Sequence, residues 1–294
     1  MMPAATAAVR LGPPRRIGLS LLCALIAGRA AFRLILYGAN VALLAGWGAA
    51  TFARYAAASG ALVWVLVLAQ AGPEKTALKL LPRGGDGHLA IVRGLRTVIR
   101  LAPPLAFVSA AWLTLINAHA SSALYAAAAA QSIALGLNIA AVATQRALGR
   151  LGRDLVSFGL LSIGWIALTA VTIAAALEPP VYLLCLCAWT MTVTEITMRS
   201  TPVSSARVPH RSSALHSLAQ TAALMSVYDV AGAAAGSVAF LVLPLTGYAN
   251  QAGVLYLALT GWGFVSTVLG AVRGSTFGMR WSATASGGAA APRR

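Results

Sequence analysis

Long apolar runs separated by short basic or polar clusters make up most of the chain. A helix that crosses a bilayer needs about 20 mostly apolar residues, and eight stretches fit that pattern. The first lies within Ile17 to Trp47 and is interrupted by Arg29 and Arg33. It reads either as one long tilted helix or as a span from about Leu34 to Ala53 preceded by an interfacial helix. The second runs from Tyr55 to Gly72, and the third from Leu101 to Asn117, entered through Pro103-Pro104. The fourth covers Ser121 to Thr144, the fifth Leu155 to Leu177 and the sixth Val181 to Met198. The seventh starts near Ser213 and reaches at least Gly236, and the eighth covers Gln251 to Val272. The expected fold is all-α, a polytopic bundle of about eight transmembrane helices. The expected division is a cytoplasmic segment 1–16, a six-helix membrane lobe 17–212, two further helices over 213–273 and a disordered basic tail 274–294.

Composition strengthens this reading. Of the 294 residues, 59% are hydrophobic and 10% charged, where a soluble domain carries about 25% charged residues. So few charges cannot cover a water-facing surface, which excludes a cytosolic enzyme, a secreted disulfide scaffold and a disordered chain. The formal charge of +16 would suggest nucleic acid on a soluble protein. Here its distribution gives another cause. Nineteen of the 22 Lys and Arg residues fall in the N-terminus, the tail and alternate connections, and the other side keeps only Arg54. Basic residues collect on the cytoplasmic side of polytopic proteins, so both termini are expected inside a cell membrane, with no nucleic-acid partner. The connection over 73–100 is the longest on that side, with basic amphipathic stretches around a Gly-rich turn at 83–88.

Ionisable groups within spans are the candidates for chemistry, because each costs roughly 2.5–3.5 kcal/mol at the bilayer centre on insertion scales. Arg29 and Arg33 are four apart and share a helix face, so they either grip a phosphate or snorkel to headgroups. Asp229 reads as the one acid deep within a span, able to bind a cation, take a proton or pair with an intramembrane arginine. Glu195 and Arg199 have the spacing of a helical ion pair. Gln131 and Asn138 share a face of the fourth span and suit hydrogen bonding between helices. Cys23, Cys185 and Cys187 lie in apolar runs and read as small hydrophobes. His119, His210 and His216 form no ligand spacing with acids or cysteines, so no metal and no cofactor are expected. Neither a His-Glu-x-x-His helix nor a Gly-x-Ser-x-Gly elbow occurs, and the chain does not read as an enzyme.

Gly46-Trp47-Gly48-Ala49-Ala50-Thr51-Phe52-Ala53-Arg54-Tyr55-Ala56, and the corner Ala71-Gly72-Pro73-Glu74-Lys75 leading into Leu80-Leu81-Pro82-Arg83, resemble polysaccharide flippases of the multidrug/oligosaccharidyl-lipid/polysaccharide exporter superfamily. Gly247-Tyr248-Ala249 echoes the first hairpin, and Tyr228-Asp229-Val230 is similar to the helix that opens that superfamily's second lobe. Transporters are commonly built from repeated halves. Members have twelve or fourteen spans, so the resemblance implies a truncated chain of one lobe plus two helices, which pairs with itself or with another membrane protein, or no longer transports. It further implies a flippase-like function on an anionic lipid-linked sugar, with Arg29, Arg33 and Arg54 facing its phosphates and Asp229 as the coupling or gating acid. The alternatives are a fragment of a major-facilitator-like permease, which Asp229 to Gly232 also resemble, and a non-transporting scaffold of a biosynthetic complex. Membrane lipid is a partner on every reading.

Overall fold

The computed structural model describes residues 19–81, 88–117, 120–199, 212–267 and 269, and its regular elements are all helices. They are α1 (Leu19–Ala61), α2 (Val63–Leu80), α3 (His88–Ile116), α4 (Ser121–Ala147), α5 (Gly152–Ala174), α6 (Pro179–Arg199), α7 (Ser212–Leu245) and α8 (residues 251–267). Among the described residues, six helical stretches are long and apolar enough to cross a membrane, the first of them Cys23–Lys79. The chain is a multi-pass helical membrane protein.

The 43 residues of α1 would reach about 65 Å at 1.5 Å per residue, twice the roughly 30 Å hydrocarbon core. The helix does not run straight through. Gly48 has φ 76° and ψ 166°, a left-handed extended conformation open to glycine because it lacks a Cβ. It divides α1 into arms 19–47 and 49–61. The second arm continues into α2 past a one-residue step at Leu62.

The bundle is apolar on the outside. Leu105, Val108, Trp112 and Leu115 of α3, and Leu224, Val227 and Leu245 of α7, are all exposed. Water would penalise such a surface, whereas hydrocarbon does not. The middle is occupied by α4, of whose most apolar stretch 72% is buried, against 22% for α3 and 17% for α7. Its alanine-rich sequence suits that place, since small side chains let helix backbones approach closely. At Gly136 a Cβ would stand 2.5 Å from the Leu66 carbonyl oxygen of α2.

Several boundaries differ from those expected. The 73–100 connection is largely helical: α2 continues through Pro73 to Leu80, and α3 begins at His88 and passes through Pro103 and Pro104. Its amphipathic character is the cause. Ala77, Leu81, Val92, Leu95 and Ile99 are buried together with Leu137 and Met198, so the two extensions cover the charged end of the bundle. The seventh helix, expected to reach at least Gly236, runs on to Leu245. That helix packs along α2, with smaller contacts to α1 and α3. The segments 1–16 and 274–294 lie outside the described residues.

Candidate functional site

Two cavities occupy opposite ends of the bundle. The larger, about 490 Å³, is lined by residues on either side of Gly48, by Ala120, by 176–180 and by Pro244, Ala249 and Asn250, with Trp47, Arg54, Tyr125 and Glu178 on its wall. The smaller, about 190 Å³, is lined by Arg29 and Arg33 of α1, Gln70 and Glu74 of α2, Phe158 of α5 and Thr267 at the end of α8, among apolar residues.

Packed core separates them. Along α1 the lining passes from Leu36 in the small cavity to Gly46 in the large one, about 15 Å of helix. The same step occupies α4 between Tyr125 and Leu135. Leu43 is fully buried in this septum, and aromatic rings fill it. Tyr55 packs on Trp47, Tyr182 and Tyr256 with ring centroids 5.4, 6.2 and 5.8 Å away, and Trp165 stacks on Tyr182. The phenol hydroxyls are satisfied locally: Tyr55 donates to the Asn40 side-chain oxygen at 3.3 Å, and Tyr182 shares a 3.1 Å hydrogen bond with Thr169. A polar handle paired within an apolar ring cluster fixes ring orientation as well as filling space.

The charged end is tied by ion pairs across four helices. Arg29 donates to Asp154 of α5 at 2.8 Å, and Arg146 of α4 approaches the same carboxylate oxygen at 3.4 Å. Arg146 also pairs with Glu74 of α2 at 3.3 Å, and Gln70 donates to Glu74 at 2.7 Å. The Arg29 guanidinium lies 5.5 Å from the centre of the Phe158 ring. Only 2% of the Asp154 side chain is exposed, so this acid, rather than Asp229, is the buried one. Sequence alone placed Asp154 in a basic connection. Its spacing from Arg146 and Arg150 carried the signal, since an acid amid cations at a helix start favours both the pairing and the helix dipole.

The three arginines expected to share one substrate do not converge. Arg29 is committed to Asp154, Arg33 lines the small cavity beside it, and Arg54 lines the large cavity beyond the septum. Asp229 lies on the α2–α7 seam, paired at 2.6 Å with Lys75, its side chain about one-third exposed. It has a polar partner, but that partner is on α2 and not among the span-one arginines. Glu195 does not pair with Arg199 as its spacing suggested; Arg100 of α3 donates to both its carboxylate oxygens. Asn138 does bridge helices, donating to Thr194 of α6 and accepting from Ser157 of α5. Gln131 is buried with neither amide atom partnered among the described residues. Of the cysteines, Cys187 is buried and Cys23 exposed.

No protein-family model matches the chain, and no curated protein or solved structure matches it.

Proposed function

We propose that the chain is a flippase-like transporter in the cell membrane that takes an anionic, lipid-linked sugar precursor into the large cavity. The observation that carries this reading is the pair of cavities at opposite ends of one bundle, divided by about 15 Å of aromatic septum. Two cavities held apart by packed core are what one state of an alternating-access device would present. Arg54 supplies a fixed cation for the substrate's phosphate. Trp47 and Tyr125 offer flat faces for its sugar, and the apolar wall suits its lipid.

The topology belongs to the same proposal. Counting the first arm of α1 as one crossing and its second arm together with α2 as the next gives eight crossings. All four charge-poor connections then meet at the large cavity and the basic ones at the small-cavity end, which faces the cytoplasm. Asp229, on the seam between α2 and α7, couples movement of α7 to the rest of the bundle.

The test is translocation of a fluorescent lipid-linked oligosaccharide phosphate in proteoliposomes. The expected result is protein-dependent flipping that falls at least about tenfold in Arg54→Ala, the loss of one charge-assisted contact. Absence of flipping by the wild-type protein, alone or with its membrane partners restored, would leave the scaffold reading in its place.

A further inference from the structure

The small cavity has an unbalanced charge. Arg29 and Arg146 are matched in charge by Asp154 and Glu74. Arg33 projects into the same cavity and has no ion-pair partner among the described residues. It lies one turn from Arg29, on the α1 face that meets α8, where its guanidinium is 3.6 Å from the position a Cβ would take on Gly263. The Tyr37 ring, a turn further on, is 3.5 Å from the position a Cβ would take on Gly261 of α8, so α1 and α8 form the two sides of a groove. Arg33 is exposed at that groove, and its neighbour Leu34 is exposed on the surface beside it. The apolar part of the wall is Phe32, Leu36, Leu66, Leu135, Ile139 and Phe158, and Glu74, which also lines it, is held by Arg146 and Gln70.

Of the two guanidinium groups in this lining, Arg33 is the one without a carboxylate partner among the described residues, and such a cation beside apolar side chains is costly unless an anion joins it. Planar donors on the cation favour the oxygens of a phosphate. An apolar wall beside the charge favours a ligand with hydrocarbon next to its anionic group. We propose that the α1–α8 groove is a resident site for one phosphate monoanion, the phosphodiester of an anionic membrane phospholipid whose chains lie along Leu36 and Leu66. The site is separate from the large cavity and does not depend on transport.

The test is native mass spectrometry of the full chain released from nanodiscs, using phosphatidylglycerol, phosphatidylcholine and inorganic phosphate as probes. One phosphatidylglycerol should remain bound, with at least about tenfold preference over phosphatidylcholine. Arg33→Ala should reduce its retention about tenfold, Arg33→Lys should fall between, and Arg54→Ala should leave it unchanged. Melting of each variant in nanodiscs shows that the fold survives. Arg33-dependent binding of inorganic phosphate without retained lipid would support the phosphate site and assign it to a free anion. Equal retention by Arg33→Ala and wild type, or equal retention of the two lipids, would overturn it. A loss in Arg54→Ala as large as in Arg33→Ala would also overturn it, by placing the lipid in the large cavity.

Discussion

Asp154 decides most at the scale of single residues. Its carboxylate is buried and neutralises two arginines from two other helices. Asp154→Asn keeps the shape but leaves Arg29 and Arg146 facing each other with less negative charge. Breaking a buried pair from one side costs about 3–5 kcal/mol. Arg29 is one-third exposed, so the expected loss is near the lower figure, about 3 kcal/mol, read as a lower melting temperature in nanodiscs. Asp229→Asn removes a pair whose side chains are 40% and 35% exposed, and its expected cost is below about 1 kcal/mol. The opposite ranking in the same measurement would return Asp229 to the position of principal buried acid. Asn138→Ala removes bonds to α5 and α6 at once and should cost about 1–2 kcal/mol.

Glycines show the difference between a helix that packs and one that does not. A methyl at Gly136 would collide with α2 at two places, the Leu66 carbonyl oxygen at 2.5 Å and the Ala69 Cβ at 2.9 Å. Backbone cannot give way as a side chain tip can, so Gly136→Ala should separate α2 from α4. The expected outcome is poor yield of folded protein by size-exclusion profile, or a loss of about 1–3 kcal/mol from overpacking. Gly232 of α7 has open space where its Cβ would stand. Gly232→Ala should be neutral or stabilise by about 0.5–1 kcal/mol, since alanine favours the helix and nothing obstructs it. A severe defect at Gly232 with none at Gly136 would mean that α7, not α4, forms the tightest helix interface. Both glycines lie within apolar helical sequence, and only the neighbours distinguish them.

At the scale of the whole molecule, the arrangement makes a topological prediction. Cysteines introduced at Gly87 and Ala120 should label from opposite faces of the membrane in intact cells, using a reagent that does not cross it. Labelling of both from one face would remove the proposed eight crossings. The sequence determined the helical class, because runs of apolar residues at bilayer length have one low-energy form when no water is present to satisfy the backbone. It also showed which connections carry the charge, and it marked the glycine-rich turn at Gly46 to Gly48 where α1 breaks. Amphipathic spacing in 73–100 was visible too, but which surface those positions cover depends on Leu137 and Met198, over 35 residues further along. Tertiary structure alone decided the partners. Asp154 meets Arg29 across 125 positions, and Arg100 meets Glu195 across 95. A charge's local neighbours in sequence do not reveal the helix that will be packed beside it. The division of Arg29 and Arg33 from Arg54 has the same origin: residues on one helical run are carried apart at 1.5 Å per residue and past a reversal, so similar side chains reach opposite ends of the bundle.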